Sequence, residues 1–494
     1  MIDDTIVAPA TTPGTGAISI VRLSGPEVFS IVDAVVQLKR GSVSEAEGYT
    51  IHYGVVYTEI PSALPGLGMT KNVIPSEASV SPALLDEVLV SVFRAPHSYT
   101  GEDAVEISCH ASSYIVSELI QRLLSAGARF AQSGEFTRRA FLNGKLDLAQ
   151  AEAVADVISS TTAASHRVAM NQLKGSVSTE LDALREQLLE MASLLELELD
   201  FSEEDVEFAD RAKLLSLMQE AKRHTDRLAA SFRKGNLIKN GVPVAIIGGV
   251  NSGKSTLLNA LLGEDRAIVS DIPGTTRDTI EECLNIGGIL FRFIDTAGIR
   301  ESSDEVERIG INRTFRKLSE AEIVLGMLDM SRSELELKDD LEMVLSRVVW
   351  HNQKLILVLN KTDLQDNPVV NKNVISINNY VSTAKAKIVS VEISAKQGKG
   401  LDALKNALYQ AEEGLIPNAD SAFITNTRHL EALKNASSAL AVCIASLSGG
   451  MPSELVAADL RSAIYYINSI LGQDLGLDAD VVLNRIFQSH CIGK

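Results

Sequence analysis

Cysteine is scarce in this chain: four in 494 residues, Cys109, Cys283, Cys443 and Cys491. They stand too far apart for a C-x-x-C metal or redox motif and nothing points to a secreted context, so reduced thiols are expected. Positive charge is also in deficit, with a formal net charge of −18. Such a surface repels phosphate as a whole, and any nucleic-acid contact has to come from a local basic patch. Residues 121–175 offer one candidate, with seven Lys or Arg against four Asp or Glu, among them Arg122, Arg138, Arg139, Lys145 and Arg167. A solvated helical face explains each of these residues equally well. The opening MIDDTIVAPATTPG lacks the basic and apolar regions of a secretory signal, and no apolar stretch approaches ~18 residues. These absences predict a soluble, cytoplasmic protein with no membrane partner. Internal repeats and low-complexity tracts are missing too. What remains is a chain of 494 residues, 45% hydrophobic, long enough for about three domains with ample cores.

Its periodicity changes along the length. Residues 1–145 alternate short β-rich runs (Ala17–Leu23, Glu87–Phe93, Ala104–Cys109) with a helical pattern near Ser112–Ala128, which predicts a mixed α/β domain. Between them Pro61–Pro82, rich in Pro, Gly and Ser, reads as a surface loop. From Leu146 to about Lys234 the pattern is wholly helical. Strands then alternate with helices from Gly241 to about Glu413, as in a parallel sheet covered on both faces, before helical periodicity resumes. The simplest account is an α/β and all-α multidomain protein, in which a helical domain is interrupted by an inserted nucleotide domain. The expected segments are 1–145, 146–235, 236–417 and 418–494.

The chemistry sits in the inserted segment. Residues 248–255 read GGVNSGKS after the apolar run Val242–Ile247 and before the helical spacing of Leu257, Leu258, Ala260 and Leu261. This is a G-x-x-x-x-G-K-[ST] phosphate loop in its strand–loop–helix context: backbone N–H groups curl around phosphates, Lys254 reaches the β- and γ-phosphates, and Ser255 is placed to ligate Mg²⁺. Asn251, Ser252, Gly253 and Thr256 share that loop and helix start. Downstream, Asp295-Thr296-Ala297-Gly298 follows ILFRFI, where a strand-end Asp can hold Mg²⁺ through water and the Gly298 N–H can sense the γ-phosphate. Asn360-Lys361-Thr362-Asp363 resembles the NKxD guanine motif, and Ser394-Ala395-Lys396 the loop that supports the base. An Asp carboxylate pairs with the N1–H and amine of guanine, and a site built on such bonds rejects an analogue lacking them by roughly 10⁴–10⁵. The order of the four motifs selects GTP over ATP.

Hydrolysis is less direct. Ras-type enzymes place a Gln after DxxG and borrow an arginine worth roughly 10³–10⁵ in rate, whereas this chain has Ile299. Asn251 offers a side-chain carbonyl beside the phosphates, and Ser270-Asp271-Ile272-Pro273-Gly274-Thr275-Thr276 can wrap carbonyls around a monovalent cation in place of an arginine finger. Glu307 is a carboxylate able to orient water; taken by itself it reads better as a plain helix-surface carboxylate.

Several stretches together resemble the MnmE (TrmE) family of tRNA wobble-uridine modification GTPases: GGVNSGKS, Ile272–Asp278, Asp295–Gly310, Thr5–Gly25, Tyr99–Ala111, Gly134–Ile158 and the terminal Cys491–Lys494. The resemblance implies an N-terminal folate-binding, dimerising α/β domain, a discontinuous helical domain and an inserted Ras-like P-loop GTPase domain. It further implies that K⁺-dependent pairing of the GTPase domains activates hydrolysis. K⁺ is then held by Asn251, Ser270, Ile272 and Thr275, Mg²⁺ by Ser255 and Thr276, and Glu307 is the catalytic carboxylate. A homodimer working with the FAD-containing partner MnmG in a heterotetramer would add an aminomethyl or carboxymethylaminomethyl group to C5 of the wobble uridine of certain tRNAs. The carbon would come from a reduced folate, methylene- or formyl-tetrahydrofolate, in a pocket lined by Arg22, Glu106, Lys145 and Lys494. Pro273 removes an N–H from the cation loop and leaves its carbonyls free. Cys491 is expected to line the pocket rather than act as a nucleophile. Two other classes compete: an RNA-binding assembly GTPase, for which a KH-type GxxG pattern is missing, and a folate-dependent transferase with a regulatory GTPase domain.

Overall fold

A computed structural model describes residues 4–58, 83–200, 211–265, 282–294, 318–364, 367–384, 388–415, 422–473, 486–487 and 493. It divides into two compact units, residues 1–155 with 471–494, and residues 156–470. The architecture is the mixture expected, an α/β part, a helical part and a sheet-based nucleotide part.

In the first unit the strands are β1 (Ile6–Pro9), β2 (Ile18–Ser24), β3 (Val36–Leu38), β4 (Thr50–Tyr57), β5 (Leu84–Phe93), β6 (Ala104–His110) and β7 (Arg129–Phe130), ordered β3-β4-β5-β6-β2-β1-β7. All neighbours pair antiparallel except β1 and β7. Alternation decides which side is covered: Val88, Val90 and Val92 point inward with Val21, Leu23, Val105 and Ile107, and helices α1 (Val28–Val35) and α2 (Ser113–Ser125) close over them. Helices α3 (Glu135–Leu142) and α4 (Leu148–Ser159) follow in the chain. Residues near the end of the chain complete this unit. Phe487 is buried against Leu148 and Ala151, and a Cβ on Gly493 would fall 2.1 Å from the Pro9 carbonyl oxygen.

Part of the candidate basic patch of residues 121–175 is engaged within this unit. Arg139 is fully buried, its guanidinium 2.6 Å from Asp4, 3.1 Å from Glu102 and 3.2 Å from Glu135. Arg129 pairs with Asp4 and Glu135, Arg122 with Glu118, and Lys145 donates to the Pro96 carbonyl. The charge of Arg139 is spent on the fold, because an unpaired buried guanidinium would be far more costly.

In the second unit, α5 (Ala163–Leu173), α6 (Ser176–Asp200) and α7 (Arg211–Asn240) precede the nucleotide sheet, and helices Thr427–Ser448 and Ser453–Leu471 follow it. Chain distant in sequence is sealed by side-by-side packing of α7 with Thr427–Ser448, burying Met218, Ala221, Thr225 and Leu228 on one and Leu433, Ala436, Leu440 and Cys443 on the other. Among the described residues Thr427–Ser448 alone is long and apolar enough to cross a membrane by length and composition. Cys443 and, in the first unit, Cys109 are buried free thiols, pushed up by burial to about 12 and about 11, as inert structural cysteines are.

The sheet itself contains β8 (Val242–Gly248), β9 (Glu282–Ile286), β10 (Ile289–Ile294), β11 (Ile323–Asp329), β12 (Lys354–Asn360) and β13 (Ile388–Glu392), in the order β13-β12-β11-β8-β10-β9. Five strands run parallel, and Val244 and Ile246 face one layer of helices while Ala245 and Ile247 face the other. The departure from a wholly parallel sheet is β9, antiparallel to β10 across Gly287-Gly288, whose φ values of 60° and 86° suit a two-residue hairpin turn.

α7 carries one glycine whose size matters. A Cβ on Gly235 would lie 2.3 Å from the Ile424 carbonyl oxygen. Gly235→Val is expected to cost about 1–3 kcal/mol through overpacking and to lower the melting temperature by several degrees; an unchanged thermal melt would show that this contact does not hold the helices together.

Candidate functional site

The carboxyl ends of β8, β11, β12 and β13 meet, which is where open α/β sheets place their ligands. At the end of β8 the chain turns through Gly249–Gly253 into helix α8 (Lys254–Asp265). Two residues take left-handed conformations, Asn251 at φ 62° and Gly253 at φ 99°, the first tolerated by Asn and the second natural to Gly. Asn251 is exposed, Ser252 is fully buried, and Ser255 and Thr256 lie exposed on the first turn of α8. Lys254 Nζ donates to the carbonyls of Gly248 and Gly249, both at 2.9 Å; an ammonium has a third donor to give. Burial pushes this ammonium down, Asp340 opposes that, and Arg332 and Arg347 add to it.

Asn360, at the last position of β12 and 3% exposed, joins two loops: its Nδ2 donates to the Ser252 carbonyl at 2.8 Å and its Oδ1 accepts from the Ala395 N–H at 3.0 Å. Gly253 is glycine partly for this reason, since a Cβ there would come 2.4 Å from Asn360 Nδ2. Lys361, at φ 68°, places Nζ 2.6 Å from Oδ2 of Asp329, the register partner of the preceding Asn360 at the end of β11. Burial would raise Asp329, but the bonds from Lys361 and Ser331 outweigh it and hold the carboxyl below the usual range. Thr362 ties its N–H and hydroxyl to the Ile393 carbonyl, and Asp363 follows in a short 3-10 turn, Thr362–Leu364. Ser394 and Ala395 are buried, with the Ser394 N–H donating to the Lys399 carbonyl, while Lys396 is exposed. The structure therefore brings together three of the motifs read from sequence: the loop Asn251–Thr256, the tetrad Asn360–Asp363 and the support Ser394–Lys396.

Chemically this arrangement fits a nucleotide. A glycine-rich loop leading into a helix N-terminus suits a polyphosphate, a first-turn hydroxyl on Ser255 suits a hard divalent cation, and the Asp363 turn beside a rigid backbone support suits a base edge. Ser270, Asp271, Ile272, Pro273, Gly274, Thr275, Thr276, Asp295, Thr296, Ala297, Gly298 and Glu307 lie outside the described residues, as do Cys491 and Lys494. In the first unit, Arg22 and Glu106 are register partners on β2 and β6, and Arg22 Nη2 lies 2.7 Å from Glu106 Oε1. Arg22 also donates to the Gly493 carbonyl at 3.1 Å and lies 5.7 Å and 5.8 Å from the rings of Tyr99 and Phe136. Lys145 is not drawn into this pair, donating to Pro96 instead.

Sequence reasoning missed Asp329, Arg332, Asp340 and Asn373 around the phosphate loop. Only Asp329 had a visible signal, an acidic residue ending the apolar strand Ile323–Leu328.

Family models match at residues 5–145, GTP-binding protein TrmE N-terminus, and at residues 148–491, MnmE helical domain. The chain belongs to the MnmE family. Relatives named tRNA modification GTPase MnmE include one from Bacteroides thetaiotaomicron, 48% identical over 100% of both chains, and one from Flavobacterium johnsoniae, 46% identical over 99% of both. Among solved structures, a GDP·AlF4⁻-bound Era variant from Aquifex aeolicus is 27% identical over 40% of this chain and 65% of its own, with a TM-score of 0.26. As an MnmE-family member the chain is a GTP hydrolase, with GTP as its nucleotide and Mg²⁺ as the accompanying ion.

Gly253→Ala tests the site by size alone. The new methyl would strike Asn360 and force a strained φ, so GTP affinity is expected to fall about tenfold or more in a fluorescent-nucleotide titration; wild-type affinity would mean that this loop does not cradle the nucleotide.

Proposed function

We propose that this MnmE-family chain is a K⁺-dependent GTPase that, with an FAD-containing MnmG partner, adds an aminomethyl or carboxymethylaminomethyl group to C5 of the wobble uridine of tRNA. The observation that carries the GTPase half is Asn251, an exposed Asn held in the left-handed region inside the phosphate loop. There its amide oxygen can serve a monovalent cation beside the β- and γ-phosphates. In this reading Ser270, Ile272 and Thr275 complete the K⁺ cage with backbone carbonyls, Ser255 and Thr276 hold Mg²⁺, and Lys254 neutralises phosphate charge. Asp363 reads guanine with Ser394-Ala395-Lys396 in support, and Asp295–Gly298 senses the γ-phosphate. Glu307 orients the attacking water. Pairing of two GTPase domains would order the cage and so switch hydrolysis on, which makes a homodimer the active form. The layout is 1–145 for folate binding and dimerisation, 146–235 and 418–494 for the helical domain, and 236–417 for the GTPase domain.

The first unit supports the one-carbon half. Arg22 is held between Glu106, the Gly493 carbonyl and two aromatic rings, so a guanidinium and a carboxylate are presented together in fixed orientation. A reduced folate offers matching groups, an anionic glutamate tail and a pterin amino group. Both Arg22 bonds to Glu106 use the same oxygen, Oε1. Arg22, Glu106, Lys145 and Lys494 would hold the folate, and its bound one-carbon unit would supply the carbon of the new group. The site lies in a cytoplasmic enzyme whose macromolecular substrate is tRNA.

One series of GTP turnover assays tests the mechanism. Turnover is expected to be much faster in K⁺ than in Na⁺ for the wild type, equal in the two salts for Asn251→Ala, and lost with nucleotide affinity retained for Glu307→Ala, the pattern of an interaction made only in the transition state. Equal wild-type rates in both salts would dismiss the cation, and a tenfold loss of GTP binding in Glu307→Ala would return that residue to a structural role.

A further inference from the structure

We propose that Arg332, braced by Asp340, is a positioning residue for the phosphates of GTP: it fixes the Val250–Asn251 peptide so that the Asn251 N–H faces them. The inference rests on the assignment of residues 248–255 as the phosphate loop. Arg332 Nη2 donates to the Val250 carbonyl, and Nη1 donates to Asp340 Oδ2 at 3.1 Å. In a trans peptide the carbonyl and the following N–H point in opposite directions. Drawing the Val250 carbonyl toward Arg332 therefore turns the Asn251 N–H the other way, toward the concave side of the loop. The same constraint holds Asn251 in its left-handed conformation, at φ 62°, which an unsupported residue would leave at a gain of roughly 1 kcal/mol.

The brace is built for rigidity. Arg332 precedes the helix Glu334–Arg347, whose N-cap Ser333 makes a reciprocal capping box with Glu336. The loop carrying Arg332 is pinned from behind by buried Asn373, whose Nδ2 donates to the carbonyls of both Met330 and Arg332 at 2.9 Å. Asp340, 8% exposed, rests on the loop directly: a Cβ on Gly249 would lie 2.4 Å from its Oδ1 and 2.8 Å from its Oδ2. Gly249 and Val250 are thus held by one carboxylate–guanidinium pair, and the pair is neutral, so it orients the loop without repelling phosphate. Removing Arg332 leaves a buried carboxylate against the loop, and burial already holds Asp340 above the usual carboxylate range.

The test measures fluorescent GDP affinity and GTP kinetics on the full chain, in K⁺, for Arg332→Ala, Arg332→Lys and Asp340→Asn, with Lys254→Ala as control. Because loop N–H groups contact the phosphates in ground and transition states alike, Arg332→Ala is expected to raise the GDP Kd and the GTP KM about tenfold with kcat within about threefold of wild type. Arg332→Lys keeps the charge and one donor and should recover part of that loss, and Asp340→Asn should show a smaller rise. A merely structural role would lower the melting temperature and leave the KM-to-kcat split unchanged. Wild-type Kd in Arg332→Ala, with Lys254→Ala deficient, overturns the inference while sparing the phosphate-loop assignment. Wild-type Kd in Lys254→Ala overturns that assignment and the inference with it.

Discussion

The carboxamide of Asn360 is the interaction on which the candidate nucleotide site depends. It is buried at the end of a central strand, with its donor on the Ser252 carbonyl and its acceptor on the Ala395 N–H. A carboxamide offers a donor and an acceptor in one rigid plane, and that of Gln would stand one methylene too far out for the same position. Through this one group the phosphate loop and the base-supporting loop keep a fixed separation. Each bond is worth about 1 kcal/mol net, but a buried partner left unsatisfied costs about 1–3 kcal/mol, so truncation is punished at both ends.

Around that hub, charge is handled locally in a chain whose net charge is −18. Lys361 is matched by Asp329 and Arg332 by Asp340, whereas Lys254 donates to two backbone carbonyls, bonds weak enough to be exchanged for phosphate oxygens. The pairing limits electrostatic attraction to where it is used. The same economy governs the first unit, where Arg139 is surrounded by Asp4, Glu102 and Glu135 and contributes to packing rather than to a basic surface.

The motifs were legible because their function needs contiguous residues. A phosphate loop is eight residues of one turn, and the tetrad Asn360–Asp363 and the triad Ser394–Lys396 each hang from one strand end. The strands were legible for a similar reason, since β8 and β12 are buried on both faces and read as continuous apolar runs. Pairings across long stretches of sequence were not legible. Arg332 meets Val250 from 82 residues away, Asn373 reaches back to Met330, and the burial of Arg139 depends on Asp4. None of these leaves a local pattern. The antiparallel edge strand was hidden in Gly287-Gly288, a signal that was present and unread.

The most direct test of this account is the affinity of Asn360→Ala for GTP, measured by equilibrium titration alongside its thermal melt. With both bonds gone the two loops lose their fixed spacing, and affinity should fall by at least about tenfold while the protein still melts cooperatively. Wild-type GTP affinity in a folded Asn360→Ala protein would contradict the claim that this side chain sets the geometry of the site.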